Sequence, residues 1–254
     1  MRAIARLPAP LRRRIWGARR ARARARRRAL EARGDFSQSR PALHGMDRRL
    51  EAILDKDGGF FVEAGANDGY QQSNTYSLER LRGWRGVLVE PVPDLYREAV
   101  RERPGARVFN CALVAEGHPD PGVTLRYGGL MTVVAGDEQA DRDWVAAAHA
   151  VAQEEPEHEF TVPARTLSSL LDEVGAPEVD LLSLDVEGYE PQVLAGLDLD
   201  RHAPRYVLVE IRDPESGRGA IDAILGGRYA EAEQLSPYDV LYSRADVKRP
   251  VPSV

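Results

Sequence analysis

Residues 59–70, Gly-Phe-Phe-Val-Glu63-Ala-Gly65-Ala-Asn67-Asp68-Gly69-Tyr, constrain the fold more than any other stretch of the chain. Phe60, Phe61 and Val62 are apolar with no polar alternation, the pattern of a strand buried on both faces and hence of a parallel sheet. Glu63 ends the run, and Gly65 and Gly69 let the backbone turn tightly and approach a ligand without a Cβ in the way. A second apolar run, Val87-Leu88-Val89, closes on Glu90-Pro91. Strand, glycine turn, helix, strand and acid, in that order, is the arrangement in which a strand-end carboxylate accepts hydrogen bonds from ribose hydroxyls.

The loop does not suit a dinucleotide. A pyrophosphate needs G-x-G-x-x-G so that it can sit on backbone N–H groups at a helix N-terminus. Here the middle position is Asn67, the last spacing is short, and acids stand on both sides of the turn, at Glu63 and Asp68. Carboxylates repel phosphate and attract an ammonium or a sulfonium. S-adenosylmethionine carries both of those cations and a ribose for Glu90, and it is the cofactor these residues imply. A nicotinamide-dependent oxidoreductase is set aside on the same ground.

At 254 residues and 43% apolar, the chain can bury one sizeable α/β core. Its one cysteine, Cys111, excludes an internal disulfide and thiolate-clustered metal sites, which fits a reducing compartment and a cytoplasmic location. No apolar run is long enough to span a bilayer, and the first residues lack the apolar core of a secretory signal. The histidines are scattered without metal-ligand spacing, and only His149 and His158 merit consideration for catalysis.

Charge is distributed unevenly. Residues 1–34 hold thirteen arginines against a single acid, Glu31, leaving 22 basic and 39 acidic residues in the rest. Alternating Ala and Arg from Leu11 to Ala32 favour helix. Residues 1–40 are therefore expected to form an Arg-rich arm, flexible or helical, ahead of a single domain over 41–254. Ile15 and Trp16 suit a basic helix lying peripherally on an anionic membrane surface, nucleic acid being the weaker match. The plain alternatives are a solvated arm or sequence read from an upstream start.

Further along, the periodicity predicts helices over Met46–Leu54, from an N-cap at Ser73 through Arg82, and over Asp94–Glu102. A third strand is expected over Val108–Leu113. A hairpin (Val123–Tyr127, Met131–Val134), a polar helix (Ala140–Glu155) and a short strand (Phe160–Ala164) follow. Then come helix Leu167–Val174, strand Val179–Asp185, helix Glu190–Ala195, strand Tyr206–Ile211, helix Ile221–Leu225 and a terminal hairpin over Tyr229–Leu235 and Asp239–Ser243. Such alternation predicts an α/β fold with a mostly parallel sheet and helices on both faces. Residues 115–163 break the rhythm and read as a lid-like insertion above the strand C-termini, where ligands bind in open sheets. Glu63, Glu90, Asp185 and Glu210 all sit at strand ends and should converge on one crevice.

These residues resemble the FkbM-type S-adenosylmethionine-dependent methyltransferases over roughly residues 43 to 243. The likeness rests on Phe61-Val-Glu63-Ala-Gly65-Ala-Asn67-Asp68-Gly69, Ser73-Asn74-Thr75, Val89-Glu90-Pro91, Asn110-Cys-Ala112-Leu, Leu184-Asp185-Val-Glu187-Gly188-Tyr-Glu190 and Val209-Glu210-Ile, in that order. The resemblance implies a class I methyltransferase (Rossmann-like) sheet of seven strands, six parallel and the last antiparallel. It also implies methyl transfer to a hydroxyl oxygen of a sugar, glycan, polyketide or related metabolite. Matched by position, Glu63 and the backbone from Gly65 through Asn67 and Asp68 to Gly69 should hold the amino-acid end of the cofactor, and Glu90 the ribose hydroxyls. Asn110 and Ala112 fall where the adenine edge is expected, and Ser73, Asn74 and Thr75 are candidate donors to the cofactor carboxylate.

Asp185 and Glu187 turn immediately after a strand at the crevice mouth, which makes them the candidate general bases for a hydroxyl acceptor. Glu190 reads as a third site acid or as a charge on a helix N-terminus. A magnesium ion that acidifies the acceptor suits clustered oxygen ligands, and metal use is left open. The alternative to an enzyme is a non-catalytic binding module that keeps the fold and works through the basic arm.

Overall fold

A computed structural model describes residues 9–128, 131–135, 158–212 and 217–247. The chain divides into two compact units, one comprising Met1–Ser39 and Thr124–Thr161, the other Arg40–Val123 and Val162–Val254.

The larger unit is built on a seven-stranded sheet. Its members are β1 (Phe60–Ala64), β2 (Arg85–Val89), β3 (Ala106–Phe109), β8 (Leu181–Leu184), β9 (Tyr206–Glu210), β10 (Tyr229–Gln234) and β11 (Asp239–Arg244). The spatial order is β10-β11-β9-β8-β1-β2-β3. Strands β1, β2, β3, β8 and β9 pair in parallel, β11 runs antiparallel to β9, and β10 antiparallel to β11. Six strands thus share one direction and β11 alone opposes it, as the resemblance implied. The order reverses between β1 and β8, so a crevice opens outside their C-terminal ends.

Each inner strand buries both faces, which is why its sequence runs apolar without alternation. On one face Val62, Val87, Leu182 and Val207 pack with Leu170 and Leu171 of helix Leu167–Val174, Val193 of helix Glu190–Ala195 and Ile221 of helix Gly217–Leu225. On the other, Phe61, Leu88, Leu181 and Leu208 pack with Leu50 of helix Met46–Leu54, Leu78 of helix Tyr76–Arg82 and Ala99 of helix Pro93–Glu102. Thr166 accepts from the Ser169 N–H to open its helix, and Gly175 at φ 58° closes it.

The expected third strand is corrected. It ends at Phe109, because β2 ends at Val89 and offers no partner beyond it. Asn110 donates its side-chain amide to the Glu90 and Pro91 carbonyls at 2.9 and 2.7 Å, turning the chain out of the sheet. Ala112–Leu113 then forms a separate strand, β4, paired in parallel with Ala164–Arg165 at the end of β7 (His158–Arg165). The strand expected over Phe160–Ala164 therefore also lies outside the main sheet.

In the smaller unit, helix α1 (Ala9–Glu31) realises the helical reading of the arm. It is anchored at its end, where the Ser39 hydroxyl donates to buried Glu31 at 2.8 Å. The expected hairpin is formed by β5 (Gly122–Gly128) and β6 (Met131–Val134), antiparallel. His158 lies between the rings of Tyr127 and Phe160, at 5.3 and 5.8 Å between centroids. The helix expected over Ala140–Glu155, and His149 with it, lies outside the described residues. No helix among the described residues is long and apolar enough to cross a membrane.

Candidate active site

The loop leaving β1 is shaped by close backbone approach. Gly65 sits at φ +84°, and a Cβ there would lie 1.8 Å from the Asp185 carbonyl oxygen. The turn after β1 and the turn after β8 are therefore in direct contact at the point where the strand order reverses. Gly69, at φ +81°, rests on Ala99 and Arg103. Asn67 itself adopts φ 51°.

Glu63 is buried, and its carboxylate accepts from Ser73 Oγ at 2.8 Å, Thr75 Oγ1 at 2.6 Å and the Asn74 N–H at 2.8 Å. Arg103, fully buried, reaches the same carboxylate at 3.4 Å and also binds Glu79, Ser73, Thr75 and the Gly69 carbonyl. Sequence reasoning gave no sign of Arg103, which stands alone between a helix end and Pro104-Gly105. The helix expected to open at an N-cap Ser73 begins instead at Tyr76, with Thr75 in the N-cap position, while Ser73 Oγ accepts from the Tyr76 N–H at 3.1 Å. Asp68 turns its carboxylate onto the Tyr70 and Gln71 N–H groups.

Glu90 is held differently. One oxygen accepts from the Asn67 N–H at 2.7 Å and the other from the Val92 N–H at 2.8 Å, so each keeps a lone pair for a further donor. Burial raises its pKa to about 8 against the pull of those two bonds, with Asp68 adding to the rise. Asn74 donates its amide to Ser183 Oγ on β8 at 3.1 Å, which leaves its buried Oδ1 with no partner. Because the Ser183 hydroxyl can donate as well as accept, the amide can also be turned to present its NH₂. In either setting one amide atom is without a hydrogen-bond partner among the described residues.

Beyond β8, Asp185, Glu187 and Glu210 gather with Arg212. Arg212 Nε donates to Glu210 at 2.8 Å, and its guanidinium also pairs with Glu187. Burial, followed by the charges of Glu210 and Glu187, lifts the Asp185 carboxyl well above the usual range. Burial raises Glu187 to about 7, Arg212 restraining the rise. Glu187 adopts φ 61°, a sparsely populated conformation for a side-chain-bearing residue and one often retained at working sites. Glu190 accepts from the Val186 and Gly188 N–H groups at 3.0 and 3.2 Å, which fixes the turn. Arg212 was not singled out from sequence, although it stands two residues past the acid that closes β9.

Among the described residues no three His, Cys, Asp or Glu side chains are arranged to hold one metal ion. The counter-charge between Glu187 and Glu210 is the Arg212 guanidinium. A cavity of about 170 Å³ lined by Lys56, Trp84, Asp180 and Arg205 opens at the opposite, N-terminal edge of the sheet, where Lys56 pairs with Asp180 at 2.7 Å.

A profile of the methyltransferase FkbM domain matches residues 63–235, from the first strand-end carboxylate to the close of β10. The chain belongs to the FkbM methyltransferase family. "Methyltransferase 1" of Beauveria bassiana (strain ARSEF 2860) is 32% identical over 169 residues, covering 62% of this chain. This FkbM chain spans 65% of that relative's length, just under two thirds. Among solved structures, an FkbM methyltransferase from Methylobacillus flagellatus KT has a TM-score of 0.42 and 16% identity over 74% of this chain and 44% of its own. A SAM-dependent methyltransferase from Aquifex aeolicus has 0.43 and 12% over 85% and 96%. Likeness at that level adds nothing to what the sheet order already fixes.

Proposed function

We propose that this FkbM chain binds S-adenosylmethionine across the C-terminal edge of the sheet and methylates a hydroxyl oxygen of a sugar, glycan, polyketide or related metabolite. The observation that carries the reading is the contact between the Gly65 turn and Asp185, which brings the cofactor-type loop against a cluster of titratable acids. The residues present fit the cofactor. Glu90 keeps acceptor capacity for the ribose hydroxyls, and the unpartnered amide atom of Asn74 suits the amino-acid end. The glycine turn offers bare backbone, with Asn67 and Asp68 shaping it. Asn110 and Ala112 continue from β3 on the side expected for adenine. Glu63, saturated by protein donors, acts by holding the loop in shape.

Bound S-adenosylmethionine supplies an electrophilic methyl group on a cationic sulfur. The chain's task is to align the acceptor oxygen and take its proton as the C–O bond forms and the C–S bond breaks. Glu187, titrating near neutrality, is the better matched base. Asp185, raised by burial and by its acidic neighbours, is the less matched base, and its role is to orient the acceptor.

Calorimetric titration with S-adenosylmethionine tests the cofactor, and absence of binding by the unaltered protein would leave a non-catalytic module as the account. Glu187→Gln should lower methyl transfer by about two to four orders of magnitude with cofactor affinity retained. Asp185→Asn should cost less, and full activity in both would remove general base catalysis from this cluster. The same assay with a chelator present decides whether a divalent ion takes part.

A further inference from the structure

Helix α1 has two unlike faces. Trp16, Arg20, Arg24, Arg27 and Glu31 recur at helical spacing and are partly or fully buried. The opposite face carries Leu11, Arg14, Arg19, Arg22 and Arg26, all exposed, separated by exposed alanines. The one acid of residues 1–34, Glu31, is on the buried side and accepts from Ser39, so the helix itself contributes cations and no carboxylate to its exposed face. From Leu11 to Arg26 this face extends about 22 Å along a straight axis. At its start Leu11 is 45% exposed, with Ile15, half-buried, one turn further on.

From this charge pattern we infer that the exposed face of α1 is a docking surface for an anionic phospholipid bilayer. A band of exposed arginines along one side of a helix suits a planar array of phosphates, and it gains from each cation near an acidic leaflet. Leu11 and Ile15 lie on the same face, where they reach the headgroup boundary while the long arginine stems bend their charges outward. A nucleic acid would use the cations and leave those apolar groups in water.

The test uses the full chain and sedimentation with vesicles of phosphatidylglycerol and phosphatidylcholine, and with vesicles of phosphatidylcholine alone. The protein should sediment with the first at low salt, be released by high salt, and ignore the second. Replacing Arg19, Arg22 and Arg26 by Gln should weaken partitioning about fivefold per residue, and more than a hundredfold together. Should that variant lose helicity by circular dichroism, Ala18→Glu with Ala25→Glu and Ala29→Glu sets carboxylates among intact arginines and should abolish sedimentation equally. Failure of the full chain to sediment at low salt overturns the inference, as does equal binding to neutral vesicles or indifference to both sets of substitutions. Tighter capture by single-stranded RNA or duplex DNA than by the anionic vesicles at the same salt overturns it too.

Discussion

Replacing Glu63 by alanine would strip Ser73, Asn74 and Thr75 of their shared acceptor and leave Arg103, fully buried, short of one counter-charge. Removing one partner of a buried pair costs about 3–5 kcal/mol, so Glu63→Ala should lose roughly that stability in urea. Glu90, equally buried, keeps lone pairs free on both oxygens, so Glu90→Ala should weaken S-adenosylmethionine binding by about 1.5–3 kcal/mol. With its pKa raised to about 8, Glu90 becomes the stronger acceptor for the proposed ribose hydroxyls once it has released its proton. Cofactor affinity should therefore rise from pH 6.5 to about pH 9 and flatten in Glu90→Gln, as read by calorimetry; a flat profile in the unaltered protein would remove Glu90 from the ribose. The sequence marked both acids as strand-end carboxylates and could not separate them, because the difference lies in which donors the folded loop supplies.

At the scale of elements, β1 and β8 set the site, and their spacing is enforced by Gly65. A methyl group there would overlap the Asp185 carbonyl at 1.8 Å, and φ +84° strains any side chain, so Gly65→Ala should push β1 and β8 apart at their ends. The expected outcome is loss of cofactor binding with a lowered Tm, whereas Gly219→Ala, in helix Gly217–Leu225 with open space around it and no left-handed φ, should leave both unaffected. Leu182, buried in β8 among Val62, Val207 and Leu170, should cost about 2–5 kcal/mol on replacement by alanine. The inner strands were legible from their unbroken apolar runs. The end of β3 was not, because Val108 to Leu113 is apolar enough for one strand, and only the length of β2 and the Asn110 amide decide that it stops.

For the molecule as a whole, the site carries an electrostatic load that pH can read. Glu90 and Glu187 ionise near 4.5 when unfolded and are held to about 8 and about 7 in the fold, and Asp185 is raised likewise. Across that window the folded chain keeps protons that the unfolded chain has released, so their contribution to stability is full below about pH 4.5 and is lost as pH rises toward 8. Without cofactor the Tm should fall between pH 5.5 and 8.5, and Asp185→Asn combined with Glu187→Gln should flatten that fall in differential scanning calorimetry. Saturating S-adenosylmethionine should raise the Tm most at the alkaline end, by mass action on a site whose carboxylates are then ionised.

Sequence alone determined the mostly parallel α/β sheet, because strands buried on both faces must be apolar throughout and loops that bring backbones together must be glycine. It also determined that the acids Glu63, Glu90, Asp185 and Glu210 share one edge, since parallel strands end together. What surrounds each acid was decided only by tertiary structure. Saturation of Glu63 by Ser73, Asn74, Thr75 and Arg103, the guanidinium of Arg212 between Glu187 and Glu210, and the raised pKa of Asp185 beside those acids all depend on groups far apart in sequence. A carboxylate's pKa and its free lone pairs are properties of its surroundings, and those exist only once the chain has closed around it.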